Sequence, residues 1–380
     1  MVAQSRQVNP SKFYKRTENR DNFIILDVRS KEVARDWPLD FEGIETINYP
    51  YFNLLDEIPE SLKNKLSKDK EIIVVCSKGE SSKVIADSLQ EQGYKTKTLN
   101  KGTKGWSKVY TRKEIPTESE NSKVFQYVRP SSGCLAYMVV SGTEAIVIDP
   151  LKQFTDTYIE HAEQQNANIV KVIDTHIHAD HISGIKELSE KTDSEMIMFK
   201  NAKERGVKYD INTVEDRDKL YFGSDSIEVI HTPGHTTDMA SYKFNNILFT
   251  GDSLFTNGIA RPDLEDKDGM EGMAESLYNT ITETIRSISD ENTIISPAHK
   301  FSNETTDKLN NTYTREFHHV MSEIDETEYS RDEFISNILQ DMPPRPANYG
   351  DIIDINKGIK EASEEEESEL ELGPNNCSAS

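Results

Sequence analysis

Thr175-His176-Ile177-His178-Ala179-Asp180-His181-Ile182-Ser183-Gly184 sets four side chains able to ligate a metal within residues 176 to 181. The stretch follows an apolar, β-type run, Ile169-Val170-Lys171-Val172-Ile173-Asp174. It therefore reads as a buried strand opening into a loop, with a helix starting near Ser183. A loop at a strand end can aim several imidazoles at one point, which a helix or strand at this spacing cannot. Three histidines and an aspartate crowded in this way imply a bound cation. More donors follow downstream: His235 in Thr232-Pro233-Gly234-His235-Thr236, Asp252 in Thr250-Gly251-Asp252-Ser253, and His299 in Ser296-Pro297-Ala298-His299. Each comes after a short β-like run (Ile227 to Ile230, Ile247 to Thr250, Thr293 to Ser296). The second half of the chain thus delivers its ligands from strand ends.

At 380 residues the chain has room for two domains, each with its own core. Forty-four basic against 67 acidic residues leave a net charge of −23, which repels nucleic acid and anionic membrane surfaces. Part of the excess is local, since Glu361 to Glu371 holds seven glutamates and reads as a solvated tail. No apolar run approaches the ~20 residues of a membrane span. The start, Met1-Val2-Ala3-Gln4-Ser5-Arg6, has no apolar core of a leader. Three scattered cysteines (Cys76, Cys134, Cys377) make no disulfide framework, so a reducing cytoplasm is expected. An enzyme of this size is compatible with a homodimer.

The first unit spans residues 10–110. Phe23-Ile24-Ile25-Leu26-Asp27-Val28 and Glu71-Ile72-Ile73-Val74-Val75-Cys76 read as buried strands, Pro59 to Ser67 and Ser81 to Gly93 as helices. Strands alternating with helices predict a small parallel sheet covered on both faces. Cys76 ends a strand and opens Cys76-Ser77-Lys78-Gly79-Glu80-Ser81-Ser82, which runs into a helix N-terminus. Loop amides and the helix dipole favour a thiolate there, one able to hold a sulfur atom as a persulfide. A buried structural cysteine fits the local sequence equally well.

The whole segment resembles a rhodanese domain. Leu26-Asp27-Val28-Arg29 resembles the family's early strand, Cys76 to Ser82 its active-site loop, and Leu99-Asn100-Lys101-Gly102-Thr103-Lys104-Gly105-Trp106 its closing glycine–tryptophan turn. That resemblance implies sulfur transfer at Cys76. Two departures stand out: Ser81 where the family often has arginine, and no Gly-His-Ile stretch near Glu42-Gly43-Ile44.

Residues 111–122 read as a polar linker, 123–358 as the second domain and 359–380 as the acidic tail. β-Type runs open the second domain (Lys123 to Val128, Cys134 to Val140, Glu144 to Pro150). Helical patterns recur at Thr155 to Gln165, Ile185 to Lys191, Gly272 to Ile288, Thr305 to Val320 and Asp332 to Leu339. Cys134 is expected in the core, and His161, His231, His318 and His319 as packing or surface residues. The His-x-His-x-Asp-His run with His235, Asp252 and His299 resembles the metallo-β-lactamase superfamily. The resemblances together imply an α/β rhodanese-like domain followed by an αββα metallo-β-lactamase sandwich.

Within that superfamily two site chemistries compete. If all seven donors are used, two Zn²⁺ bind and hydrolyse a thioester, as in glyoxalase-II-like enzymes. If one metal binds, His176, His235 and Asp252 form the facial triad of non-haem Fe²⁺, with His178, Asp180, His181 and His299 around it. The sequence also resembles the persulfide dioxygenase branch. Arg129-Pro130-Ser131-Ser132-Gly133-Cys134-Leu135-Ala136-Tyr137, Gly258-Ile259-Ala260-Arg261-Pro262-Asp263-Leu264 and Pro343-Pro344-Arg345-Pro346-Ala347-Asn348-Tyr349 carry this likeness. It implies one Fe²⁺ per chain, a thiol persulfide and O2 as substrates, and Arg261 holding a carboxylate of the thiol carrier. Lys300-Phe301 stands where glutathione-using relatives commonly place an acid and a tyrosine. Thiosulfate or sulfite would be the partners of the Cys76 reaction. A persulfide sensor without catalysis, and a zinc thioesterase with an appended rhodanese, are the rival expectations.

Overall fold

The computed structural model describes residues 6–119, 121–265, 269–300, 311–324, 329–340, 342, 346–373 and 377. Near the N-terminus, β1 (Gln7–Val8), β2 (Phe23–Asp27), β3 (Glu45–Asn48), β4 (Glu71–Val75) and β5 (Lys95–Leu99) form a five-stranded sheet in the order β1-β5-β4-β2-β3. Every pairing is parallel. The buried Ile- and Val-rich runs of β2 and β4 leave no polar face, as a sheet covered on both sides requires. One core contains Leu26, Ile72, Val74, Ile85 and Leu89, the other Phe13, Ile25, Ile73, Val75 and Trp106. The helix Glu80–Glu91 matches its expected span, whereas the Pro59 to Ser67 pattern yields only the single turn Glu60–Lys63.

The second unit stacks two sheets. Strands β6 (Thr111–Ile115), β7 (Ser122–Val128), β8 (Leu135–Ser141), β9 (Glu144–Ile148), β10 (Asn168–Ile173), β11 (Glu195–Phe199) and β12 (Asn212–Val214) form seven strands in reverse sequence order. Strands β13 (Lys219–Phe222), β14 (Asp225–His231), β15 (Ala240–Phe244), β16 (Ile247–Gly251), β17 (Ile294–Pro297) and β18 (Arg315–Glu316) form the other sheet in sequence order. Between the sheets lies an apolar core of Val139, Ile146, Ile148, Phe199, Ile227, Val229, Tyr242 and Phe249. Helices Thr155–Gln164 and Ile185–Thr192 cover one outer face, Met270–Asn279, Phe317–Glu323 and Arg331–Gln340 the other. This is the expected αββα sandwich.

Three expectations are corrected. The polar stretch after Tyr110 is not all linker, because β6 pairs antiparallel with β7 from Thr111↔Val128 to Ile115↔Val124. Its half-buried and exposed residues alternate up to the buried Ile115, which suits an edge strand. In the Thr305 to Val320 pattern, residues 301–310 lie outside the described part, and Arg315–Glu316 is strand rather than helix. Residues 343–345 of the proline-rich segment also lie outside it. The acidic tail, finally, is not simply solvated: helix Glu364–Leu370 forms with a Ser363/Glu366 capping box, and Glu367, Glu371 and Cys377 are buried.

The two units touch through specific contacts. Trp37 donates its indole N–H to the Ser131 carbonyl at 2.9 Å, and Arg129 Nε donates to Ser107 O at 3.0 Å. Tyr110 stacks on Phe154 with ring centroids 4.0 Å apart.

Candidate metal centre and sulfur-transfer loop

Strand β10 ends at Ile173, and the loop after it turns His176, His178, Asp180 and His181 inward, all buried. His235 follows β14, Asp252 follows β16 and His299 follows β17. The strand-end reading therefore holds for every donor. Gly251 has φ +53°, and a Cβ there would lie 2.8 Å from Thr175 Oγ1. A glycine is thus needed to bring Asp252 up against the histidine loop.

Within this group, His176, His235 and Asp252 each offer one ligand atom, all within 4.8 Å of one another. His176 Nε2 lies 3.8 Å and His235 Nε2 3.6 Å from Asp252 Oδ2. The buried atoms His176 Nε2 and Asp252 Oδ2 have no hydrogen-bond partner among the described residues. Buried polar groups are left without a partner only at a cost, and a cation among them would satisfy both. This donor set fits a metal ion.

Outer residues fix the ring orientations. His235 Nδ1 donates to the Arg261 carbonyl at 2.9 Å, which turns Nε2 toward Asp252. His176 Nδ1 donates to Thr175 Oγ1 at 3.0 Å, and that hydroxyl donates to Asp149 Oδ2 at 3.1 Å. Burial, with the nearby His178 and His235, holds His176 well below the ordinary imidazole range; burial also lowers His235, against the pull of Asp252. Both rings are therefore neutral and can offer lone pairs.

His299 behaves differently. Its Nδ1 donates to Asp252 Oδ1 at 2.6 Å and its Nε2 to Asp180 Oδ2 at 2.7 Å. Although burial opposes it, the two carboxylates push His299 well above the usual imidazole value. Burial alone would raise Asp252, but the charge and hydrogen bond of His299 outweigh it and hold the carboxyl below its ordinary range. His178 turns Nε2 to Asp149 Oδ1 at 3.0 Å, and His181 Nδ1 faces Asp180 at 3.4 Å. His178 Nδ1, Asp180 Oδ1 and His181 Nε2 remain without partners among the described residues.

Sequence reasoning missed most of the supporting shell. Asp149, Asp174 and Asp238 are buried at strand or loop ends; Asp238 Oδ2 accepts the Ile177 N–H at 2.9 Å. Burial lifts the Asp174 carboxyl to about 7, while Ser183 Oγ donates to it at 2.6 Å. Asn356, from helix Tyr349–Asn356, donates to the carbonyls of His178 and His181 at 2.9 and 2.8 Å and accepts the Ser183 N–H. Cys134 is a core residue as expected, but its Sγ also sits 3.3 Å from Asp180 Oδ2. Asp149 and Asp174 each directly follow a strand, and that position was their hint in the sequence.

Arg261 lies next to the centre. Its guanidinium is fully buried and grips Asp263, Nε to Oδ1 at 2.7 Å and Nη2 to Oδ2 at 3.0 Å. The planar fork meets an internal carboxylate, and the Arg261 carbonyl also accepts from His235 Nδ1. Of the other histidines, His161 and His231 pack in the fold and His318 and His319 lie at the surface.

The Cys76 loop is a separate cradle. Cys76 Sγ receives the N–H of Gly79 at 3.0 Å and of Ser82 at 3.4 Å, with Ser82 Oγ also at 3.4 Å. Helix Glu80–Glu91 starts directly behind, its positive end toward the sulfur. Gly102 (φ +56°) backs the loop so closely that a Cβ would lie 1.9 Å from Cys76 O. Thr103 and Lys104 donate their N–H groups to the carbonyls of Cys76 and Ser77 at 2.9 and 3.0 Å. Two loop amides thus converge on the sulfur.

Comparison with known proteins agrees with this division. Residues 9–109 match the rhodanese-like domain and residues 130–299 the metallo-beta-lactamase superfamily. A hydroxyacylglutathione hydrolase of Pelagibacter ubique is 31% identical over 160 residues, 41% of this chain and 63% of that protein. The mitochondrial persulfide dioxygenase ETHE1 of Bos taurus is 28% identical over 180 residues, 46% of this chain and 67% of that protein. The chain thus spans about two thirds of the length of these relatives. Among solved structures, a metallo-beta-lactamase from Staphylococcus aureus matches with TM-score 0.55 and 23% identity, over 64% of this chain and 74% of its own. ETHE1 from Myxococcus xanthus matches with TM-score 0.53 and 24% identity, over 62% of this chain and 98% of its own. These two likenesses concern the fold.

Proposed function

From a chain that carries a rhodanese-like domain followed by a metallo-β-lactamase domain, we propose an iron-dependent persulfide dioxygenase coupled to sulfur transfer at Cys76. The substrate is a low-molecular-weight thiol persulfide: R–S–SH, O2 and water give R–SH, sulfite and two protons. One observation carries the choice of a single metal: both ring nitrogens of His299 are engaged by carboxylates. His176, His235 and Asp252 form a facial triad of two imidazoles and one carboxylate, whereas in the other group, Cys134, Asp180, His181 and His299, the last imidazole already meets two carboxylates. Fe²⁺ held there supplies the one-electron chemistry by which dioxygen reacts with sulfur.

The chain's own residues prepare the site. Thr175, Asp149 and the Arg261 carbonyl fix the two ligating rings, and His299 holds a proton between Asp252 and Asp180. Leu254, Phe255, Ile259 and Ala260, just after Asp252, pack in one apolar cluster with Ala179 of the histidine loop. At the other domain, Cys76 either takes sulfane sulfur from thiosulfate to load the thiol or passes it to sulfite, making thiosulfate.

A second reading has its own support. Asp180 Oδ1 and His181 Nε2 are orphaned, and a hydroxyacylglutathione hydrolase is among the relatives. Two Zn²⁺ would then make a thioester hydrolase. The deciding test is oxygen uptake by iron-reconstituted protein on adding glutathione persulfide, with sulfite measured in the same sample. Uptake with matching sulfite supports the dioxygenase. No uptake with glutathione or coenzyme A persulfide, alongside hydrolysis of a glutathione thioester by the zinc form, replaces it with the hydrolase.

A further inference from the structure

Glu371 ties the glutamate-rich tail to the histidine loop. One carboxylate oxygen accepts the Ile182 N–H at 2.7 Å, and the other pairs with Arg129 at 3.0 Å. Both side chains of that ion pair are almost wholly buried (1% and 3% exposed). A second tie lies one turn earlier. The Ile182 carbonyl accepts the Lys152 N–H at 3.0 Å, and the Lys152 ammonium meets Glu367 at 2.5 Å. Asn348 donates to the Leu370 carbonyl at 2.5 Å, and Leu372 packs against the first-domain core that holds Trp37 and Trp106.

These contacts are what hold the tail helix together. Glu364–Leu370 is seven residues long, and Glu364, Glu365, Glu366 and Glu369 are exposed like charges. A helix so short is not stable alone, and like charges four residues apart weaken it further. Its folding is conditional on docking, so the tail has two states, docked and released.

The grip on Ile182 is in turn tied to the metal ligands. Asp180, in the same loop, accepts from His299 at 2.7 Å, and His299 donates to the ligand Asp252 at 2.6 Å. His176 Nε2 and Asp252 Oδ2 are buried without a hydrogen-bond partner among the described residues. Burying such groups is costly, and a cation between them removes the cost and fixes the loop. The Ile182 N–H then stands in place for Glu371, so the tail docks with less ordering left to do.

Resting on the metal centre of the reading above, we propose that metal occupancy and docking of the tail are coupled, with Glu371 as the positioning residue that joins them. The acidic tail is a latch that closes on the metal-loaded histidine loop and opens when the metal leaves. Linkage makes the coupling reciprocal, so the docked tail also tightens metal binding. The latch responds to the ion that fixes the loop, whichever reaction that ion serves.

The test is hydrogen exchange of the full chain, read by mass spectrometry on peptides that cover the tail helix Glu364–Leu370. Metal-free protein is compared with protein loaded with Fe²⁺ under argon or with Zn²⁺, and metal content is measured on each sample. Bound metal should slow exchange in the tail helix by roughly five- to a hundredfold. The slowing should exceed that in helix Arg331–Gln340, which reports general tightening of the domain. Glu371→Gln keeps an oxygen for the Ile182 N–H and gives up the charge facing Arg129. It should exchange faster than wild type in both states yet keep the metal-dependent difference, whereas Glu371→Ala should lose it. Equal exchange of the wild-type tail with and without bound metal overturns the latch. So does a metal-dependent difference that survives undiminished in Glu371→Ala. Oxygen uptake on glutathione persulfide is followed on the Fe²⁺ samples. Uptake with an unresponsive tail overturns the latch alone; protein that binds neither ion removes the metal centre and the dioxygenase reading with it.

Discussion

The Cys76 loop and the metal centre are built on opposite principles. Around Cys76 every donor comes from the next few residues, Gly79 and Ser82, with Gly102 and Thr103 as backing from one adjacent turn. The metal centre takes donors from the ends of β10, β14, β16 and β17, and its supports from Asp149, Asn356 and Glu371. The cradle needs only elements of its own small domain to form. A dispersed centre exists only once the whole sandwich has closed, so distant changes should reach it and leave the cradle alone.

The largest effect separating the two regions is expected from Asp252→Ala. It removes the single triad carboxylate and the partner of His299, so bound metal should fall to background in elemental analysis and oxygen uptake should vanish. Thiosulfate sulfurtransferase activity should survive; its loss would mean that the two sites are one.

Gly102→Ala is the reciprocal change. Its Cβ would collide with the Cys76 carbonyl, and φ +56° disfavours a side chain in any case. Sulfur transfer should fall about as far as in Cys76→Ser, by roughly a hundredfold or more. Metal content should stay unchanged, and a fall in metal would contradict the separation.

Glu371→Ala tests how far the centre's support extends. It leaves Arg129 buried without its carboxylate, which should cost about 3–5 kcal/mol in denaturant unfolding. The Ile182 N–H also loses its acceptor, so metal affinity should weaken about 10- to 100-fold in a chelator competition. Unchanged affinity would confine the role of the tail to stability.

The smallest effect lies outside both regions. His161, on helix Thr155–Gln164, is pressed down to about 4 from 6.5 by burial, with Arg112 and Lys123 adding to it. The unfolded chain then binds the proton more readily than the folded one. Stability should be fully present above 6.5 and decline as pH falls toward 4. His161→Gln should flatten that slope in thermal unfolding and alter neither activity; an unchanged slope would assign the acid sensitivity elsewhere.

Much of the molecule was legible before folding. The His176 to His181 run, the strand-end placement of His235, Asp252 and His299, and the strand–loop–helix around Cys76 each follow from short-range pattern. A buried strand must be apolar and a loop must follow it, so the positions of the donors come with their neighbours. The β6 edge strand was hidden because its polar outer face resembles a linker, and only pairing with β7 reveals it. The pairing of Arg261 with Asp263 was not legible, because it depends on how the loop after Asp252 folds.

By itself, the sequence determined the two-domain order, the strand–loop–helix around Cys76 and the strand-end placement of the histidines and aspartates, because each depends on residues close along the chain. Tertiary structure alone decided that both nitrogens of His299 are spent on carboxylates. It also decided that a glutamate-rich tail anchors the histidine loop through Glu371, and that Cys377 ends beside Asp252. Those outcomes depend on which groups lose water together when distant segments pack. A buried charge must find its partner wherever the fold puts one.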